Sequence, residues 1–140
     1  MIDQVTSVEQ SKRLLEMGVP AEKASMVWCD YRNLGDEENS YKLVLADQIV
    51  EADFAEYIPA FTVADLLELL SFEIDADCGL CYLEIKKLYA GRDYTEWGVY
   101  YKNYDGDIPF ESITSYGIIE ALFDMVEKII CYGGCCKLNL

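Results

Sequence analysis

The chain has 140 residues, 52% of them hydrophobic, so it is long enough to bury a core without disulfides or a metal. Its 26 acidic residues outnumber 11 basic ones and give a net charge of -15, which argues against direct binding to nucleic acid or to a membrane surface, because phosphate contacts depend on Lys and Arg. No stretch approaches the roughly 20 apolar residues of a spanning helix, and the N-terminus lacks the apolar run of a signal peptide. We therefore expect one α+β domain over residues 1–140, in the cytoplasm.

The chain contains no histidine. This removes Ser-His-Asp and Cys-His activation of a nucleophile, and also the imidazole ligands of most catalytic metal sites. The glycines form neither a phosphate-binding loop nor a dinucleotide-binding fingerprint. We therefore expect a protein that is not an enzyme and that uses no cofactor.

The first helix is predicted from its two ends. Ser7 and Gln10 have the spacing of a capping box, although Thr6 with Glu9 fits nearly as well. Gly18 is typical of a residue that follows a helix, and it ends this one after about three turns.

Two hairpins are predicted from segments that are rich in strand formers or that alternate in polarity. The four strands are expected at residues 26–31, 41–45, 80–89 and 94–102. Residues 47–56 and 72–77 are acidic and are expected to form irregular connections. Residues 104–109 are expected to form a loop.

The central helix is the most clearly marked element. Pro59 holds Ile58 extended, and Thr62 with Asp65 has the spacing of a second capping box. The apolar stripe of this helix leaves Asp65 and Glu68 outside it, so both are expected to face water.

Thr114 or Ser115 is expected to cap the last helix, which continues to about Cys131. Asp124 and Lys128 have the spacing of a favourable i,i+4 ion pair on its surface. The predicted order α-β-β-α-β-β-α favours two hairpins joined in one antiparallel sheet and packed by three helices.

Three segments of the chain resemble a known group of proteins. They are residues 7–18 followed by Trp28, residues 58–66, and the closing amphipathic helix. The most specific part reads Pro-Ala-Phe-Thr-Val-Ala-Asp-Leu. Together they are similar to small uncharacterised proteins found with prophages and mobile elements of gut bacteria. The resemblance implies a phage or mobile-element origin, and it brings no established activity, cofactor or catalytic residue.

The cysteines provide one candidate metal site. Cys78, Cys81, Cys131 and Cys135 would supply four thiolates to a structural zinc ion, since Cys-x-x-Cys is the commonest half of such a site. The second half has a different spacing, so buried or tolerated thiols are the alternative interpretation. A thioredoxin-like role is disfavoured, because that motif opens a helix whereas Cys78 precedes a predicted strand. Without an export signal, the thiols are expected to stay reduced.

The chain has 11 tyrosines, more than one core normally uses. Tyr94, Tyr100 and Tyr104 are candidates for an interaction surface, because exposed tyrosine is typical of protein interfaces. Sheet packing with hydroxyls at the surface explains them at least as well.

We expect the protein to be a non-catalytic interaction module that binds an unidentified protein partner. The partner can be a second copy of the chain, which would make a homodimer. One alternative is a DNA mimic, in which carboxylates stand in for phosphates and inhibit a DNA-binding protein. The other alternative is a structural zinc-binding protein.

Overall fold

The structure is a computed structural model that describes residues 4–30, 41–48, 56–133 and 137–140. It confirms the α+β class, with three α-helices and two antiparallel sheets among these residues. In chain order the elements are α1 (Val8–Glu16), β1 (Met26–Asp30), β2 (Tyr41–Leu45), β3 (Glu56–Ala60), α2 (Val63–Leu69), β4 (Glu73–Ala76), β5 (Gly79–Ala90), β6 (Thr95–Lys102), β7 (Phe110–Thr114) and α3 (Ile118–Gly133). The chain divides into two compact units, Met1–Asp65 and Leu66–Leu140. The single domain over residues 1–140 stays a prediction.

The first unit contains a three-stranded sheet in the order β2-β1-β3. The predicted hairpin between β1 and β2 is present, with Trp28 opposite Leu43. The extended segment predicted before α2 is β3, an edge strand that pairs with β1. Pro59 is tolerated there because an edge strand has N–H positions that need no ladder partner. Residue 31 of the predicted strand and residues 49–55 of the predicted connection lie outside the described residues.

The N-terminal segment is held by its caps and by the end of β3. The capping box of Ser7 and Gln10 is confirmed: the Gln10 N–H donates to Ser7 Oγ at 3.1 Å, and the Ser7 N–H donates to Gln10 Oε1 at 2.9 Å. Thr6, the alternative cap, is buried. Its hydroxyl shares a hydrogen bond of 2.7 Å with Ser11 Oγ and accepts the Phe61 N–H at 3.0 Å.

Asp65 is buried, whereas the helical pattern predicts that it faces water. The capping box itself is confirmed, since the Asp65 N–H donates to Thr62 Oγ1 at 3.1 Å and the Thr62 N–H donates to the Asp65 carboxylate at 2.9 Å. The same carboxylate accepts the Ser25 N–H at 2.8 Å and also accepts a hydrogen bond from the Ser25 hydroxyl. The prediction of a water-facing Asp65 is wrong because Ser25, distant in sequence, supplies two donors. Glu68 is exposed, as predicted.

The second unit contains a four-stranded sheet in the order β4-β5-β6-β7. The predicted hairpin of β5 and β6 forms its centre. Strand β4 lies where residues 72–77 were expected to form an irregular connection, and β7 follows the predicted loop at residues 104–109. The two hairpins therefore lie in two sheets, not in the single sheet expected, because each gains its own neighbouring strands.

Helix α3 contacts β6 and β7 and covers one face of this sheet. Cys81 of β5 and Val99 and Tyr101 of β6 point to the covered face and are fully buried. The Tyr101 hydroxyl donates to the carbonyl oxygen of Ser71 at 2.6 Å, so the one polar atom of this buried ring has a partner.

The last helix begins later than predicted. Thr114, one of its two expected caps, instead accepts the Tyr116 N–H at 3.0 Å in the turn before the helix. Gly117 follows with a φ of 115°, a conformation that favours glycine. The predicted ion pair of Asp124 and Lys128 is confirmed at 3.0 Å. No helix formed by the described residues is long and apolar enough to cross a membrane.

Beyond α3 the chain returns to the end of α2. Leu138 forms an isolated β-bridge with Leu70, and the Asn139 N–H donates to the Leu69 carbonyl oxygen at 2.8 Å. These contacts satisfy carbonyl groups that the end of a helix leaves without an intrahelical partner.

Candidate functional site

The candidate site is the face of the four-stranded sheet opposite α3, which we name the open face. Side chains of alternating residues in a strand point to the same face, and the register of the ladder aligns them across strands. The open face carries the side chains of Glu73, Asp75, Leu80, Tyr82, Glu84, Lys86, Glu96, Tyr100, Lys102, Glu111 and Ile113.

Three aromatic rings, which we name the aromatic row, lie in contact at one end of the open face. The ring centroids of Phe72 and Tyr82 are 5.7 Å apart, and those of Tyr82 and Tyr104 are 5.3 Å apart in an edge-on arrangement. Phe72 is 69% exposed and Tyr104 is 89% exposed. The pKa of Tyr82 is raised, chiefly by its hydrogen bond with Tyr104 and then by desolvation. The row therefore presents an apolar surface with hydroxyl groups along it.

Tyr100 lies in the middle of the open face and is half-buried. Its ring covers Gly98 so closely that a Cβ atom on Gly98 would collide with it. The absence of a side chain at Gly98 thus allows the ring to lie flat on the sheet. A depression of about 170 Å³ adjoins the ring, and it is lined by Glu84, Lys86, Leu88, Tyr100, Lys102 and Ile108.

The charge of the open face is mixed. Lys86 Nζ lies 2.8 Å from a carboxylate oxygen of Glu84. This hydrogen bond is the main cause of a lowered pKa of Glu84 and of a raised pKa of Lys86. Lys102, on the neighbouring strand, lowers the pKa of Glu84 further. The carboxylates on this face are therefore interspersed with positive charges.

The three tyrosines predicted as an interaction surface are spread along the hairpin. Tyr104 belongs to the aromatic row, and Tyr100 lies in the middle of the open face. Tyr94 lies in the turn between β5 and β6, where its ring centroid is 4.9 Å from that of Tyr89. At about 3.3 Å per residue, strand β6 separates Tyr94 from Tyr104 by roughly 25 Å.

Two members of the aromatic row are missing from the sequence prediction. Phe72 falls in a segment expected to be an irregular acidic connection. Tyr82 alternates with Cys81 and Leu83 along the strand, so the alternation alone indicates that its side chain points to the face opposite theirs. The neighbours of Tyr82 depend on strand register, which the alternation does not specify.

The predicted zinc ligands come together only in part. The Sγ atoms of Cys78 and Cys81 are 3.6 Å apart beside the turn between β4 and β5. Cys131 is exposed near the end of α3, and Cys135 lies outside the described residues. Within the described ranges, no group of three or more His, Cys, Asp and Glu side chains is placed to hold a metal ion. The zinc site stays a prediction.

A scan against protein-family models, a search of curated proteins and a search of solved structures each returned no match. The resemblance to prophage-associated proteins therefore stays a prediction.

Proposed function

We propose that the protein is a non-catalytic interaction module that binds a protein partner through the open face of the four-stranded sheet. The observation that supports this proposal is the aromatic row, in which Phe72 and Tyr104 are 69% and 89% exposed. Aromatic side chains often dominate the energetics of protein interfaces, because each buries a large area with few rotatable bonds. Adjoining exposed rings are also a typical mark of a binding surface.

The partner that fits this surface has a basic region around an apolar patch. The net charge of -15 attracts such a partner over a distance and speeds its association. The aromatic row then supplies the contact area that slows dissociation. Two copies of the chain repel each other through the same charge, so the proposal favours a different protein over a homodimer.

The mixed charge of the open face supports a protein partner better than DNA mimicry. A mimic requires carboxylates arrayed like phosphates, whereas Lys86 and Lys102 lie among the carboxylates of this face. The proposal includes a cytoplasmic location and a phage or mobile-element origin, both of which rest on the sequence alone.

The test begins with affinity capture from a lysate of the source cells, followed by titration calorimetry with the purified partner. A variant that combines Phe72→Ala with Tyr104→Ala should bind at least about thirtyfold more weakly, since loss of one interface hot spot costs about 2 kcal/mol or more. Tyr116→Ala is the matched control. Tyr116 is also 89% exposed, but it follows the C-terminal end of β7. The N-terminal end of β7 is the one that pairs with Tyr101, near the aromatic row.

Equal binding by the double variant and the wild type would contradict the proposal, and so would an equal loss in the Tyr116→Ala control. Circular dichroism of each variant checks that the fold is kept. A competition experiment with duplex DNA distinguishes the DNA-mimic alternative. Duplex DNA should displace the protein from its captured partner only if the protein is a DNA mimic, because only a mimic occupies the partner's DNA-binding site.

A further inference from the structure

Cys78 and Cys81 form a close pair of thiols at a tight turn. Their Sγ atoms are 3.6 Å apart, whereas the sulfurs of a disulfide are about 2.05 Å apart, so bond formation requires a movement of roughly 1.5 Å. The turn is short, since Ala76 and Gly79 on either side of it are already paired in the ladder. Gly79 has a φ of 105°, which lets the chain reverse here and bring the two cysteines together.

The two thiols differ in accessibility. Cys78 is exposed, whereas Cys81 is fully buried. The Cys81 thiol donates to the Gly79 carbonyl oxygen at 3.4 Å, and burial is the main cause that raises its pKa to about 11. A reagent in solution therefore reaches Cys78 first, with Cys81 directly behind it.

The backbone of this turn is anchored by a buried side chain. Asn103 Nδ2 donates to the Cys78 carbonyl oxygen at 3.1 Å, and the Asp107 N–H donates to Asn103 Oδ1 at 2.8 Å. The anchor holds the main chain of Cys78 in place and leaves its side chain next to Cys81. The separation of the sulfurs thus depends mainly on side-chain rotation.

We propose that Cys78 and Cys81 are a thiol–disulfide exchange site whose oxidant is a low-molecular-weight disulfide, RSSR. The Cys78 thiolate attacks one sulfur of RSSR, which forms a mixed disulfide and releases RS⁻. Cys81 then loses its proton to water and attacks Cys78 Sγ, which forms the protein disulfide and releases a second RS⁻. The protein gives up two electrons and two protons, and RSSR becomes two RSH.

This site differs from a thioredoxin-like catalyst, which the sequence also disfavours. The pair lies at the hairpin turn between β4 and β5, whereas the thioredoxin motif opens a helix. The reaction therefore modifies this protein itself and does not turn over disulfides in other proteins.

The test uses a full-length background in which Cys131, Cys135 and Cys136 are replaced by serine, so that competing thiols are removed while the buried Cys29 remains. The protein is incubated with oxidised glutathione, and its proteolytic peptides are analysed by mass spectrometry. We expect the peptide that contains both Cys78 and Cys81 to lose two hydrogens.

Single variants in the same background separate the two steps. Cys81→Ser should stop at one glutathione on Cys78, and Cys78→Ser should leave Cys81 unmodified. Cys81→Ala repeats the first measurement without a buried hydroxyl, and circular dichroism before oxidation checks that each variant is folded. Glutathione that stays on Cys78 while Cys81 is present would overturn the proposal, and so would an unmodified Cys78 in both Cys81 variants.

Discussion

Removal of the Asp65 carboxylate should destabilise the first unit strongly. In Asp65→Ala, three donors lose their acceptor: the Ser25 N–H, the Ser25 hydroxyl and the Thr62 N–H. A hydrogen bond to a charged group contributes about 1.5–3 kcal/mol, and loss of a helix cap alone costs about 1 kcal/mol. Because the three bonds share one carboxylate, their contributions are not additive. We expect the free energy of unfolding to fall by about 3–4 kcal/mol, a large part of the roughly 5–15 kcal/mol that stabilises a typical domain.

The assay is urea denaturation followed by the fluorescence of Trp28. The Trp28 indole donates to the Thr6 carbonyl oxygen at 2.8 Å, so its emission reports on the first unit. A Trp97→Phe background removes the only other tryptophan. Glu68→Ala is the control, because Glu68 is an exposed carboxylate in the same helix and its loss should change stability by less than about 0.5 kcal/mol.

A second substitution grades the effect. Asp65→Asn keeps one acceptor oxygen and the same side-chain volume, so its loss of stability should lie between those of Asp65→Ala and the wild type. A loss below about 1 kcal/mol in Asp65→Ala would refute the reasoning, because it would mean that the donors of Ser25 and Thr62 are satisfied without the carboxylate.

Two further predictions concern the second unit. Tyr101→Phe should lower the free energy of unfolding by about 1 kcal/mol, since the buried ring stays but its hydrogen bond to the Ser71 carbonyl is lost. Urea denaturation measures this change, and an unchanged stability would contradict the prediction. Iodoacetamide at pH 8 should alkylate Cys78 much faster than Cys81, because burial shields the Cys81 thiol and raises its pKa to about 11, which leaves only about 0.1% of it as thiolate at that pH. Equal rates in peptide mapping would contradict this prediction.

Features that depend on close neighbours in the sequence could be predicted. The capping boxes of Ser7 and Thr62 and the ion pair of Asp124 with Lys128 involve residues three or four positions apart, and all three are present. Strand β4 shows the limit of local patterns. Its buried Ile74 alternates with acidic neighbours, but the acidic composition favours a connection over a strand.

Features that depend on distant parts of the chain could not be predicted. The burial of Asp65 follows from Ser25, and the division of the strands into two sheets follows from pairing partners that the polarity pattern does not specify. The same reason applies to the candidate site. Tyr100 and Tyr104 could be chosen by composition, whereas the contact of Phe72 with Tyr82 exists only because β4 pairs with β5.

The bridge between Leu70 and Leu138 has a consequence for folding during translation. The first unit can close once Asp65 has emerged from the ribosome, because its own bridge joins Thr62 to Val5 and its buried carboxylate is that of Asp65. The second unit must wait until Leu138 has emerged, and until then the Leu69 carbonyl lacks the Asn139 N–H. We therefore expect the two units to become protease-resistant in succession on stalled ribosomes, the N-terminal one first.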